Sequence, residues 1–133
     1  MSNQSQIQPL KVVLIGEILT GKTSIISKLI YGTFFEKYKT TSVPQETTLQ
    51  YASEGNNITI NFWDTCGQEK YRVLNKIFYK NAQVVFFVYS ITDRKSFEEI
   101  DNYWINEIEA NVGDSASKKI FYDYIYSFFF NWE

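Results

Sequence analysis

The sequence predicts an α/β domain with a mostly parallel sheet and helices on both faces. Three observations carry this. Leu10–Ile15 and Val84–Tyr89 are near-continuous apolar runs, as expected of strands covered on both sides. Segments with apolar residues at helical spacing follow each of them. Between them, two further strand-like runs flank Glu54-Gly-Asn-Asn57, a spacing that reads as a β-hairpin.

Taken in order, Leu10–Ile15 leads directly into Gly16, and Thr23–Ile30 then places Ile26, Leu29 and Ile30 on one helical face. Lys39–Thr48 is polar, Thr-rich and too long for a tight turn, so it is a functional loop or a disordered one. Thr48–Ser53 and Ile58–Trp63 form the hairpin, the second strand alternating Ile58, Ile60 and Phe62 with Thr59 and Asn61. A helix is expected over Lys70–Tyr79, a buried strand over Val84–Tyr89, and an amphipathic helix over Arg94–Ala110 capped near Asp93. In such sheets ligands bind at the carboxyl ends of strands, where Gly16 and Asp64 both fall.

The 133 residues suit one domain with an adequate core. A net charge of −2 gives no global electrostatic case for nucleic acid or an anionic bilayer. The single cysteine, Cys66, cannot form an internal disulfide, and neither a cleavable signal nor a long apolar span is visible. A reducing, cytoplasmic setting is the expectation.

Two segments carry chemistry. Gly16-Glu17-Ile18-Leu19-Thr20-Gly21-Lys22-Thr23 fits G-x-x-x-x-G-K-[ST]. In that pattern backbone N–H groups wrap phosphates, the lysine reaches the terminal phosphates, and the Thr hydroxyl ligates Mg²⁺. The strand before it and the helix after it are the context the motif needs, since the helix N-terminus adds its dipole and N–H groups to the cradle. The second segment, Trp63-Asp64-Thr65-Cys66-Gly67-Gln68-Glu69, puts an aspartate at a strand end with a glycine and a glutamine close behind.

At this point the chain resembles a Ras-superfamily small GTPase of the Rab type over Leu10–Val112. Trp63–Tyr71 resembles W-D-T-A-G-Q-E-R-Y, Phe78–Ala82 resembles Y-Y-R-G-A, and Tyr89–Phe97 resembles Y-D-I-T-x-x-x-S-F. The family spacing from the loop lysine to the switch threonine, and on to the tryptophan, is kept when Thr41 takes that role; Thr40 is the neighbouring candidate. The resemblance implies a P-loop NTPase (Ras-like) three-layer fold, incomplete at the C-terminal end. The organisation is a flexible N-terminus over 1–9, a partial small-GTPase domain over 10–112, and an aromatic-rich divergent tail over 113–133.

The resemblance also implies roles. Gly16 to Ser24 would form the phosphate loop and the start of its helix, with Lys22 on the β- and γ-phosphates. Thr23, Thr41 and Asp64 would hold Mg²⁺, Asp64 through water. Gly67 would give its N–H to the γ-phosphate, Gln68 would position the attacking water, and Phe34 would lie against the guanine ring. GTP or GDP is the implied ligand, with chemistry by positioning and charge neutralisation and an arginine supplied in trans. Loss of the γ-phosphate would release Thr41 and Gly67. Read without the family, Phe34 is equally a core aromatic, Gln68 a residue opening a helix, and Cys66 a small buried thiol.

Departures from the pattern are informative. Ile18 and Leu19 stand where the family has small residues, so crowding of Gln68 or of an incoming arginine is expected to slow hydrolysis. Ser42-Val-Pro-Gln-Glu46 replaces I-G-x-x-F, removing an aromatic and stiffening the loop at Pro44. Asn111-Val-Gly-Asp114 superficially resembles a base-reading N-x-x-D, yet its place at a helix end reads as a cap and turn. After Ile120 the base-reading N-K-x-D and S-A-K segments do not appear, nor do prenylation cysteines, and Met1-Ser2 offers no myristoylation site. The aromatic-rich run from Phe121 to Glu133 has two readings. It fills the fifth-strand slot, or it is a translated non-domain sequence; its lack of clean alternation favours the second.

The resulting expectation is a Rab-like, GTP-hydrolysing switch in vesicle traffic. It would engage exchange factors, a GTPase-activating protein and effectors, and would associate transiently with endomembranes. The alternative is a non-catalytic interaction module or non-functional fragment with weak nucleotide binding.

Overall fold

The computed structural model describes residues 8–33, 43–112 and the backbone of 121–127. The elements are β1 (Leu10–Ile15), α1 (Lys22–Tyr31), β2 (Gln45–Ser53) and β3 (Asn56–Asp64). A 3₁₀ turn over Glu69–Asn75 runs into the short α2 (Lys76–Tyr79), followed by β4 (Val84–Ser90). Then come α3 (Arg94–Glu99), a π-helical segment (Ile100–Trp104), α4 (Ile105–Asn111) and β5 (Phe121–Ser127).

Five strands form one sheet in the order β2-β3-β1-β4-β5. β1 pairs in parallel with both β3 and β4, β4 with β5 likewise, and only β2 runs antiparallel, against β3. The two faces of β1 explain its apolar run. Val13 and Ile15 pack with Val85, Phe87, Ile100, Trp104 and Ile108 on one side. Val12 and Leu14 join Ile26, Phe62 and Val88 on the other. Period-2 alternation thus feeds two cores at once, giving three layers with the sheet in the middle.

The hairpin is tighter than its sequence suggests. β2 and β3 stay paired up to Ser53 and Asn56, leaving Glu54 and Gly55 as a two-residue loop. Both have positive φ, 47° and 80°, as a type I′ turn requires. β2 also takes in Gln45–Thr48, the end of the expected polar loop; the rest of that loop up to Ser42, with Phe34, Thr40 and Thr41, lies outside the described residues.

The helix expected over Lys70–Tyr79 is corrected to the 3₁₀ turn and a single α-helical turn. Asn75, the last residue of the 3₁₀ turn, is fully buried. Its side chain hydrogen-bonds backbone outside the helix, which favours the tighter turn.

The helix expected over Arg94–Ala110 forms, starting after Asp93, but Asp93 makes no side-chain cap; its carbonyl instead accepts from the Ser96 hydroxyl at 2.7 Å. Its buried positions, Ser96, Ile100, Trp104, Ile108 and Val112, recur every fourth residue. A step of four overshoots an α-helical turn by about 40°, so such a stripe would wind off the sheet. The wider π turn at Ile100–Trp104 takes up part of that drift and keeps Trp104 facing inward.

Phe121–Ser127 is the fifth strand, in register with Val84–Ser90. This is the first of the two readings of the tail, and the preference for the second is corrected over these residues. A parallel strand is specified by a β-prone run rather than by alternation, and Phe121–Ser127 has neither Gly nor Pro to interrupt it.

Candidate functional site

β1 lies where the connection direction of the sheet reverses, so its carboxyl end opens into a crevice. Gly16 turns the chain out of β1 with φ 153°, against a wall: a Cβ there would sit 2.1 Å from the Val88 carbonyl oxygen. Leu19 takes a left-handed φ of 62° and is half exposed, and Gly21 follows at 93° and opens α1. Gly21 supplies no side-chain cap. The N–H groups of a helix's first turn point out of its end, toward whatever anion occupies the loop.

Lys22 folds back into the loop and is buried. Its Nζ donates to Glu17 O at 2.7 Å and Gly16 O at 3.0 Å, with the Thr20 hydroxyl at 3.5 Å. Thr20 itself donates to Glu17 O at 2.8 Å, closing the loop on itself. Burial pulls the Lys22 ammonium down to about 8, against the opposing charges of Asp64 and Glu17. An anion in the loop would offset the cost of that desolvation.

Thr23 and Asp64 meet across the crevice. The Thr23 hydroxyl donates to Asp64 Oδ2 at 2.5 Å, joining the first turn of α1 to the end of β3. Next to it the Thr65 hydroxyl donates to Leu14 O at 2.6 Å and ties the chain after β3 to β1. A hydroxyl and a carboxylate side by side are hard oxygen donors, and they fit Mg²⁺.

Gly67 presses on the phosphate loop. A Cβ there would lie 2.4 Å from Ile18 N and 2.6 Å from Glu17 C, so the two backbones approach as only glycine allows. Gln68, half-buried, opens the 3₁₀ turn, and Ser24 lies half-buried in α1. Gly16, Glu17, Ile18, Leu19, Thr20, Gly21, Lys22, Thr23 and Ser24 thus form the loop after β1 and the start of α1, and Asp64, Gly67 and Gln68 lie at and just beyond the end of β3, with Asp64 against Thr23 and Gly67 against Glu17 and Ile18.

The chain belongs to the Ras family.

The Ras family model matches residues 11–121. Curated relatives include the mouse Rho-related GTP-binding protein RhoH, 36% identical over 77% of this chain and 53% of its own length. The Ras-related protein Rab-32D of Dictyostelium discoideum is 34% identical over 83% of this chain and 48% of its own. Rab-21 of Geodia cydonium is 36% identical over 80% and 46%. The chain spans about half the length of these relatives. Family membership accounts for the three-layer fold and the phosphate loop at the end of β1. No helix among the described residues is long and apolar enough to cross a membrane.

Three residues that sequence reasoning missed complete this Ras-family site. Glu17 Oε1 accepts from Arg72 Nη2 at 2.6 Å and from the Trp104 indole N–H at 2.8 Å. Arg72 Nε also donates to Gly67 O at 3.3 Å, and its guanidinium lies 4.3 Å from the Tyr103 ring centroid and 4.7 Å from that of Trp104. Asn75 holds Cys66 through two bonds, Cys66 N–H to Asn75 Oδ1 at 2.9 Å and Asn75 Nδ2 to Cys66 O at 2.7 Å. A signal for Arg72 was present: an acidic residue inside an anion-binding loop needs a cation beside it. Nothing in the local sequence marks Asn75.

Proposed function

We propose that the chain is a guanine-nucleotide-dependent switch that hydrolyses GTP to GDP and acts, Rab-like, in intracellular vesicle traffic. The observation that carries this is the meeting of the Thr23–Asp64 pair, buried Lys22 and the Gly67 backbone at the mouth of one glycine loop. Lys22 neutralises phosphate charge, the loop and first-turn N–H groups orient it, and Gly67 reports whether a terminal phosphate is present.

Mg²⁺ would be held by Thr23 and Asp64, with Thr41 added by family resemblance, and it supplies charge neutralisation between phosphates when bound. Gln68 would orient the attacking water. Ile18 and Leu19, bulky where the family has small residues, would crowd the approach to it, so slow intrinsic turnover belongs to this reading. Exposed Val73, Leu74 and Ile77, just beyond the site, support a surface for effectors, an exchange factor or a GTPase-activating protein. A cytoplasmic protein in transient association with endomembranes fits this role.

Calorimetry with GDP, GTP and ATP, each with and without Mg²⁺, tests the proposal. Mg²⁺-dependent binding of GTP and GDP in preference to ATP is expected, together with phosphate release from GTP. Absence of binding at millimolar nucleotide would overturn it, and binding without turnover would favour the non-catalytic reading.

A further inference from the structure

We propose that Arg72 and Asn75 are positioning residues that aim the two peptide groups flanking Gly67 and so set how the site tells a triphosphate from a diphosphate. This rests on the nucleotide-switch reading. The peptide between Cys66 and Gly67 has its carbonyl fixed by Asn75 Nδ2 at 2.7 Å. That peptide is trans, so its own N–H, the Gly67 N–H, points away from Asn75. Gly67 meanwhile lies against Glu17 and Ile18 of the phosphate loop. The next peptide, between Gly67 and Gln68, has its carbonyl held by Arg72 Nε at 3.3 Å. Both orientations are set from the one 3₁₀ turn.

Arg72 has a second task. Glu17 places a carboxylate in a loop that would bind anions, where it would repel phosphates over a short distance of low dielectric. Arg72 Nη2 at 2.6 Å and the Trp104 N–H at 2.8 Å both take Glu17 Oε1, with the Arg72 and Glu17 side chains only 12% and 16% exposed. The charge is thereby paired and drawn toward the helical layer. Tyr103 and Trp104 hold the guanidinium plane from the side. A lysine could supply the charge but not the fork that reaches Glu17 and Gly67 together.

The test compares equilibrium affinities for GDP and for a non-hydrolysable GTP analogue, with Mg²⁺, in wild type, R72K, R72A, N75A and the E17Q/R72A pair. Loss of one oriented donor to a charged oxygen predicts a fall of about tenfold for the triphosphate analogue, with GDP affinity changing much less. The same split is expected in R72K and N75A; R72A also strands the Glu17 carboxylate and should weaken both nucleotides, the triphosphate more, with partial recovery in E17Q/R72A, where that charge is gone. Equal losses for both nucleotides, or unchanged triphosphate binding in R72K, would overturn the inference. R72K keeps the positive charge, so it decides the question even where N75A fails to fold. A wild type that binds neither nucleotide would instead remove the switch reading and this inference with it.

Discussion

Thr23 and Asp64, far apart in the chain, share a hydrogen bond of 2.5 Å between hydroxyl and carboxylate. The contact brings two hard oxygen donors side by side, where both could serve a divalent cation. Thr23→Ala removes one oxygen and Asp64→Asn removes the charge. Both variants are expected to lose about tenfold or more in Mg²⁺-supported nucleotide affinity, on the scale of lost charged hydrogen bonds. In excess chelator the gap to wild type should nearly close. A deficit of the same size without Mg²⁺ would place these residues in the fold rather than at a metal.

The two tight glycines separate fold from site. At Gly16 a Cβ would meet the Val88 carbonyl at 2.1 Å, inside the sheet, where neither neighbour can yield. Gly16→Ala should therefore lose about 3 kcal/mol or more of stability, read as a lower urea midpoint. At Gly67 the Cβ would meet Ile18 N and the Glu17 carbonyl carbon, backbone of the loop after β1 rather than of the sheet. Gly67→Ala should cost less stability than Gly16→Ala while losing triphosphate affinity. Comparable destabilisation in both variants would show that the Gly67 contact is part of the core.

Much of this was legible in the sequence, and the residues show why. β1 feeds two cores, so its composition announced a buried parallel strand; the glycine loop and Lys22 follow from a motif whose geometry is local. Asp64 and Gly67 were reachable because each follows a strand end at fixed spacing. Asn75 and Trp104 were not, because their partners are set by tertiary approach: Trp104 reaches Glu17 from a helix that a π turn rephases. Asn75 turned an expected α-helix into a 3₁₀ turn through bonds to backbone nine residues away. The strand at Phe121–Ser127 was misjudged by asking for alternation, which parallel pairing does not need.

Cys66 is fully buried, and burial pushes its thiol up, helped by the Asp64 charge and opposed by Lys22. Thiolate is the reactive form. In the folded protein Cys66 should therefore react with a thiol-specific disulfide reagent far more slowly than in urea, at a rate set by opening of the chain. Asn75→Ala, by freeing both Cys66 backbone groups, should cost about 2 kcal/mol or more and raise that rate. Fast labelling of the native wild type would contradict the burial of this segment.

Alkaline pH acts on the helical layer. Burial pushes the Tyr79 phenol well above its usual range; nearby Asn75 and Arg72 oppose the shift, while Glu107 and Tyr103 add to it. Tyr103 is raised too, chiefly by burial and by Glu107, with Arg72 opposing. Above a pH of about 10 the unfolded chain loses these protons while the folded chain keeps them. The folded state then binds more protons, so stability falls as pH rises. Below that pH the contribution is present in full. Urea midpoints measured from pH 8 to pH 11 should be level at first and then drop. Tyr79→Phe keeps the ring and removes the ionising group, so its decline should be shallower than that of wild type. Parallel declines would mean that Tyr79 titrates alike in both states and that its phenol is open to water.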